Sequence, residues 1–204
     1  MKRLYLVRHG QTSWNLEGRT QGGKNSDLTR LGIEQAEKLA EYFKNIELDK
    51  IYSSPLERAY STARIIAKIK NLDCKLDSRL AEMSFGEWEG LTRTRIKEIY
   101  PDDFRAWMEK PHLANIPSGE TIEAAQKRIV EFVNDEIIQS DESTTLVVSH
   151  GTLIRLFLQA ALSMDLEHYY KLKSHNGSFN LIEFKDYGPV LIKYNDTCHM
   201  DIII

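Results

Sequence analysis

The chain has 204 residues, of which 42% are hydrophobic and 28% charged, as is usual for a domain that folds around one apolar core. Its formal net charge of −3 gives no basic footprint, so nucleic acid is not an expected partner. No stretch approaches the roughly 20 apolar residues that a membrane span needs, and the first apolar run is too short for a signal peptide. Cys74 and Cys198 stand apart without metal or redox spacing, which predicts a reducing, cytoplasmic location. The length predicts a single domain over residues 1–204.

The first predicted element is a strand that begins near Leu4 and ends in an Arg-His-Gly sequence at residues 8–10. The polar loop that follows, residues 10–27, is long enough to indicate a functional role. Residues 18–25 of this loop nearly match a phosphate-binding P-loop, but Asn25 replaces the Ser or Thr that would bind magnesium. A nucleotide site is therefore not predicted here.

After this loop, amphipathic helices alternate with short runs rich in β-forming residues. The predicted elements are, in chain order, a helix that starts near Thr29, a strand at 50–53, a helix at about 56–70 and a strand at 74–76. The first helix is expected to bury one stripe of apolar residues, Ile33, Ala36, Ala40 and Phe43. In the second helix, Ser54 is the expected cap and Pro55 lies in the first turn. This order is typical of a largely parallel sheet covered on both faces.

Acidic, aromatic and proline residues mix from Glu82 to Ser118, which indicates a helical excursion at about residues 83–118 over the active end of the sheet. The remaining predicted elements are a helix after Thr121, a strand at 145–149, a helix from Gly151 to about residue 162, and strands at 179–184 and 190–194. The predicted fold class is therefore α/β, a three-layer α/β/α arrangement with a mostly parallel sheet.

Two of the predicted strands end in a His-Gly pair, one at His9 and one at His150. Ligands of open α/β sheets bind outside the carboxyl ends of the strands, so we expect one site built from both histidines. A neutral imidazole can attack phosphorus, and the cation of Arg8 would keep His9 neutral while matching the charge of a phosphoryl group. The sequence from Arg8 to Asn15 resembles the Arg-His-Gly-x-Thr-x-x-Asn signature of the histidine phosphatase superfamily, also called phosphoglycerate mutase-like.

Two further motifs carry this resemblance. Arg58 lies in a Ser-x-x-x-Arg-Ala-x-x-Thr-Ala sequence at residues 54–63, and Glu82 begins a Glu-x-x-x-Gly-x-x-Glu-Gly pattern at residues 82–90. The resemblance implies a nucleophilic histidine, a general acid at Glu82 and three groups that bind the phosphoryl oxygens. The implied catalytic residues are Arg8, His9, Arg58, Glu82 and His150. An arginine near a helix N-terminus also needs an anionic partner, which is a bound phosphate or a nearby carboxylate, Glu57 or Asp27.

Six further residues are predicted to bind substrate, namely Asn15, Gln21, Gly22, Phe85, Gly151 and His199. The amides of Gly151 and Thr152 open a helix, where backbone N–H groups attract anions. The sequence around His199 resembles the tail of metal-independent phosphoserine phosphatases, in which a histidine lies near the substrate. Phe85 stands where those enzymes place a substrate-contacting histidine, and an aromatic residue there favours an apolar or aromatic leaving group.

The resemblance implies a metal-independent, cofactor-free phosphatase that acts on a small phosphorylated metabolite in two steps. None of the common metallophosphatase, zinc-hydrolase or aspartate-nucleophile motifs is found in the sequence. The substrate alternatives are phosphoserine, and α-ribazole phosphate because residues 82–90 also resemble α-ribazole and broad-specificity phosphatases.

Two other functions stay open at this point. A cofactor-dependent phosphoglycerate mutase is disfavoured because the segment between Glu82 and His150 is short and the sequence ends in Asp201-Ile202-Ile203-Ile204 rather than in lysines. A catalytically silent module that binds a phosphate ligand is disfavoured because all five implied catalytic residues are present. A homodimer contact is also expected, formed by an exposed Tyr169-Tyr170 pair and the two closing strands.

Overall fold

One six-stranded sheet forms the centre of the computed structural model, which describes residues 1–141 and 143–200. Its strands are β1 (Lys2–Arg8), β2 (Lys50–Ser53), β3 (Cys74–Leu76), β4 (Thr144–Ser149), β5 (Phe179–Lys185) and β6 (Gly188–Asp196). They lie in the order β3-β2-β4-β1-β5-β6. The first four are parallel, whereas β5 and β6 are antiparallel, so the predicted mostly parallel sheet is confirmed. Residues 201–204, whose lack of lysines disfavours a mutase in the sequence analysis, lie outside the described residues.

Helices cover both faces of the sheet. The α-helices are α1 (Ser13–Leu16), α2 (Arg30–Phe43), α3 (Glu57–Lys70), α4 (Arg93–Ile99), α5 (Pro101–Glu109), α6 (Ile122–Val133) and α7 (Gly151–Ala161), and α2 and α3 pack on one face, α6 and α7 on the other. Successive residues of β1 point to opposite faces, as the pleat of a strand requires. Leu4 and Leu6 pack with α6 and α7, whereas Tyr5 and Val7 pack with α2 and α3. These two apolar cores confirm the three-layer arrangement.

Two predicted helices differ in detail from the structure, one in its buried stripe and one in its cap. Thr29 caps α2 as expected, but Ile33 is 43% exposed, and Leu39 takes its place in the buried stripe. Helix α3 begins at Glu57 rather than at residue 56, and Ser54 is not its cap. The Ser54 hydroxyl accepts from the amide of Leu56, the residue before the helix, at 3.2 Å, and it also lies 2.7 Å from the Nε2 atom of His150, which places it in the candidate site.

The pairing of β1 with β4 brings the two strand-end histidines together. Arg8 is in register with Ser149 in this parallel pair, so His9 and His150 leave the sheet side by side at the same edge. The predicted excursion forms α4 and α5, whose aromatic residues pack towards this edge. Within residues 1–141 and 143–200, no helix is both long enough and apolar enough to cross a membrane.

Candidate active site

A cleft of about 560 Å³ opens at the carboxyl ends of the central strands. Eight of the eleven residues predicted for the site line it, namely Arg8, His9, Asn15, Gln21, Gly22, Arg58, Glu82 and Phe85. Gly151 lines a neighbouring cavity of about 410 Å³ that shares Arg8 and Glu82 with the cleft. His150 lies buried beside His9, and His199 lies elsewhere.

His9 is held as a neutral imidazole with one free nitrogen. Its Nδ1 atom lies 2.7 Å from the Gly10 carbonyl oxygen, which can only accept, so Nδ1 carries the proton and Nε2 the lone pair. Burial, followed by the charges of Arg58 and Arg8, lowers the pKa of His9 well below its usual value of 6.5. The imidazole at the cleft wall is therefore uncharged at neutral pH and able to act as a nucleophile.

Arg58 and Arg8 reach the cleft without a carboxylate partner. Arg58, which is 1% exposed, donates to the carbonyl oxygens of Gly22 and Lys24, each at 2.7 Å. Arg8 donates to the Ser174 carbonyl oxygen. Desolvation lowers the pKa of each guanidinium to about 10, so both stay charged at neutral pH. Neither Glu57 nor Asp27 pairs with Arg58, which leaves a bound anion as the expected partner.

Gly22 fixes the loop that orients Arg58. Its backbone is left-handed, with φ +55°, and a Cβ atom at this position would lie 2.0 Å from the Glu89 Oε1 atom. That same oxygen accepts hydrogen bonds from the amides of Gly23, at 2.9 Å, and Phe85, at 3.0 Å. Glu89 therefore ties the Arg58-binding loop to the Phe85 loop, in agreement with the structural role that its position before a glycine suggests.

Glu82 occupies the N-terminus of α7. Its carboxylate accepts from the amides of Met83 at 2.9 Å, Thr152 at 3.2 Å and Leu153 at 3.3 Å. The expectation that the Thr152 amide binds the substrate anion is therefore wrong for this structure, because an internal carboxylate already uses the helix N-terminus. Contact of Gly151 with the substrate stays a prediction, and a Cβ atom there would lie 3.3 Å from the Arg8 guanidinium, so a glycine lets that group pack close to the helix.

His150 packs in the protein interior beside His9. It is fully buried, its ring centre lies 5.1 Å from that of His9, and its Nε2 atom lies 2.7 Å from the Ser54 hydroxyl. Its buried Nδ1 atom has no partner among the described residues. Burial, followed by the charges of Arg58, His9 and Arg8, lowers the pKa of His150 well below 6.5. Two neutral imidazoles thus lie side by side.

Two amide side chains complete the polar wall. The Asn15 Oδ1 atom accepts from the Thr12 amide at 3.1 Å and from Asn176 Nδ2 at 3.0 Å, which leaves the Asn15 amide nitrogen for the cleft. Gln21 is 8% exposed, and its buried Oε1 atom has no partner within the described part of the chain. Asn176 also lies within hydrogen-bond distance of the backbone oxygens of His9, at 3.1 Å, and Gly10, at 3.3 Å.

Aromatic residues form the opposite wall. Phe85 packs edge-on against Trp107, with ring centres 5.6 Å apart, and Met108 lies beside them. The side chains of Leu113 and Ile116 are not part of this wall. Leu113 is instead 67% exposed, and Ile116 is buried in the core.

Two expectations about distant residues are wrong. The His199 ring packs against Tyr42 and Phe179, and its Nε2 atom lies 3.0 Å from the Gly177 carbonyl oxygen, so the structure does not bring it to the cleft. The resemblance of the tail predicted that His199 lies near the substrate, but the sequence does not show how this segment packs onto α2. Tyr169, expected to be exposed for dimer contacts, is 2% exposed and forms part of the cleft wall.

Sequence reasoning missed Arg155, Asn176 and the Tyr169 ring as residues of this site. Arg155 lies four residues after Gly151 on the same helix, and this spacing could have indicated that it projects near the strand end. Asn176 lies in a turn and Tyr169 in a short 3-10 helix, Leu166–Lys171, and the sequence of neither segment carries a comparable signal. Within the described residues, three side chains could share a metal ion, Asp165, Glu167 and His168, and none of them lines the cleft.

Comparison with known proteins agrees with this geometry. Residues 4–197 match the family model of the histidine phosphatase superfamily (branch 1), and the chain belongs to that superfamily. Phosphoserine phosphatase 1 of Hydrogenobacter thermophilus is 37% identical over 200 residues, which cover 98% of this chain and 95% of that protein.

Two solved structures are also similar. A phosphoserine phosphatase mutant from Entamoeba histolytica, in complex with phosphoserine, has a TM-score of 0.89 at 32% identity, with 98% of this chain and 100% of that chain covered. The alpha-ribazole phosphatase from Shigella flexneri has a TM-score of 0.85 at 27% identity, with 95% and 96% covered. The predicted superfamily, fold and enzyme class, a phosphatase, are confirmed.

Proposed function

We propose that this chain is a metal-independent phosphomonoesterase that hydrolyses small phosphorylated metabolites through a phosphohistidine on His9. One observation carries this proposal. The neutral His9 ring, with its proton held on Nδ1, shares a cleft with two guanidinium groups that have no carboxylate partner in the described chain. This combination offers a nucleophile together with the positive charge that a phosphoryl dianion requires.

The reaction follows from these groups. The Nε2 atom of His9 forms a bond to phosphorus while the bond to the leaving oxygen breaks, and Glu82, which enters this step in its protonated form, gives its proton to that oxygen. Glu82 then takes a proton from water, the water oxygen bonds to phosphorus, and the N–P bond breaks to release inorganic phosphate. Arg8 and Arg58 neutralise the phosphoryl oxygens in both steps. A direct hydrogen bond from His150 to the phosphoryl group stays a prediction.

Phosphoserine is the first substrate that we propose, because the relatives named above include phosphoserine phosphatases of nearly the same length. α-Ribazole phosphate is the second, because the Phe85–Trp107 pair offers an aromatic wall to an aromatic leaving group. Asn15, Gln21 and Gly22 are proposed to contact the substrate from the opposite wall. The homodimer, the cytoplasmic location and the absence of nucleic-acid binding stay predictions.

Metal-stripped protein, assayed in chelator with phosphoserine, α-ribazole phosphate, p-nitrophenyl phosphate and 3-phosphoglycerate, tests this function. Phosphate release that survives the chelator and disappears in His9→Ala is the expected result. Conversion of 3-phosphoglycerate to its 2-isomer without release, in the presence of a bisphosphoglycerate primer, would indicate a mutase. Phosphate binding without turnover of any ester would indicate a silent binding module.

A further inference from the structure

The cleft carries more positive charge than a phosphoryl group needs. Four guanidinium groups line it without an ion pair in the described residues, those of Arg8, Arg58, Arg93 and Arg155. Among the described residues that line the cleft and the neighbouring cavity, Glu82 is the one carboxylate. A phosphoryl dianion balances only two of these cations, so a positive charge is left for another part of the substrate.

Arg155 is the best placed of the remaining cations. Its Nε atom donates to the Gly151 carbonyl oxygen at 3.1 Å, another nitrogen donates to the Tyr169 hydroxyl, and the guanidinium lies 4.1 Å from the centre of the Tyr169 ring. The remaining nitrogen, Nη1, has no hydrogen-bond partner in the described part of the chain. The group is thus fixed in orientation, whereas Arg93 lies exposed on α4 with Met108 as its contact.

The position of Arg155 relative to Glu82 connects it with the leaving group. Arg155 and Glu82 both line the cleft, and both also line the neighbouring cavity of about 410 Å³. Lys173 lines that second cavity as well, which adds positive charge there. Since Glu82 protonates the leaving oxygen in the proposed reaction, the rest of the leaving group must extend into the space beside it.

We propose that Arg155 binds a second anionic group, a carboxylate or a second phosphate, on the leaving group of the substrate. This inference rests on the proposed phosphatase function and narrows its substrate class to phosphomonoesters that carry such a group, which favours phosphoserine over α-ribazole phosphate, whose leaving group carries no anion. A planar guanidinium with one edge oriented by the protein matches the two oxygens of either anion. The Phe85–Trp107 wall then contacts the uncharged part of the same leaving group.

Two matched pairs of esters test the proposal. Phosphoserine and phosphoethanolamine differ only in the carboxylate, and propane-1,3-diol bisphosphate and propyl phosphate differ mainly in the second phosphate. In Arg155→Gln, the ratio of kcat/KM for the anionic ester to that for its partner should fall by about 10- to 100-fold in at least one pair, as expected for a lost charged hydrogen bond. Arg155→Lys, which keeps the charge but not the planar edge, should lie in between. The pair that responds identifies the anion.

The control variant is Arg95→Gln, which removes an exposed arginine paired with Glu98 and should change neither ratio. Equal losses on both members of each pair in Arg155→Gln, or no loss at all, would overturn the role of Arg155 and leave the phosphatase assignment intact. If Arg155→Gln does not fold, as judged by thermal unfolding, the Arg155→Lys ratios decide alone.

The same ratios can be measured without turnover. In a His9→Ala background, calorimetry gives the Kd of each ester with and without Arg155→Gln. A loss of preference there supports the anion subsite even when no ester is hydrolysed, so failure of the proposed function and failure of this inference give different results. An unchanged Kd ratio in both pairs refutes the subsite.

Discussion

Replacing Gly22 with alanine should damage both the stability and the activity of this protein. Two effects add at this position. The left-handed backbone, φ +55°, costs any residue with a Cβ atom about 1 kcal/mol. The new Cβ atom would also lie 2.0 Å from the Glu89 carboxylate and must displace it, which weakens the two hydrogen bonds that this group accepts from the Gly23 and Phe85 amides. Because these bonds lie near the surface, we expect about 3 kcal/mol for both effects together.

The effect on activity follows from Arg58, which donates to the Gly22 carbonyl oxygen. A shift of this loop by about 1 Å would move the guanidinium and should lower kcat/KM by about 100-fold. Urea unfolding and steady-state kinetics with a phosphomonoester measure the two losses.

Gly18→Ala provides a matched control. Gly18 has a similar left-handed backbone, φ +67°, but open space around its missing Cβ atom, so it should lose only about 1 kcal/mol. In the Gly22→Ala/Glu89→Ala double variant, Gly22→Ala should cost less than it does alone, because the loss of the Glu89 side chain removes the overlap. Equal stability of the two single glycine variants would refute this reasoning.

Three further predictions concern the histidines and the residues that hold them. Burial, followed by the charge of Arg58, keeps the pKa of His9 and His150 well below 6.5 in the folded state, so the unfolded chain binds more protons below that pH. The free energy of unfolding should therefore fall as the pH decreases through 6.5, by up to about 1.4 kcal/mol per pH unit for each histidine. Urea unfolding measured at several pH values should show that the free energy of unfolding of His150→Asn depends less steeply on pH, and an unchanged pH dependence would contradict this prediction. Asn176→Ala should lower the free energy of unfolding by only about 1 kcal/mol, since each oxygen that accepts from the Asn176 amide keeps another donor. It should nevertheless lower kcat/KM about tenfold, and unchanged kinetics would contradict this prediction. Arg58→Lys keeps the charge but loses the planar group that donates to both the Gly22 and Lys24 carbonyl oxygens, so it should lower kcat/KM by about 100-fold. Near-normal kinetics would show that this fixed orientation is not needed.

The sequence was sufficient to predict the sheet and the centre of the site. The positions of His9 and His150 at the ends of two strands were enough to predict that they share one site, because parallel strands share one carboxyl edge. The motif around Arg58 predicted its presence in the cleft, but not that the carbonyl oxygens of Gly22 and Lys24 orient it.

Other features depend on tertiary packing that periodicity does not encode. The amides at the start of α7 were available to any anion, and only the fold brings Glu82 to them. His199 illustrates the opposite case, since a tail motif predicted a substrate contact and the packing of that segment on Tyr42 directs the ring elsewhere. Asn176, in a loop without a motif, contacts the His9 backbone only because β5 pairs with β1.

In the proposed reaction, His9 carries the phosphoryl group during turnover. Metal-stripped enzyme, mixed with a ³²P-labelled phosphomonoester and quenched rapidly in alkali, should contain a label that is stable in alkali, labile in acid and located on His9 by peptide mapping. His9→Ala should contain no such label and release no phosphate. Undiminished phosphate release by His9→Ala, or a label on another residue, would contradict the account.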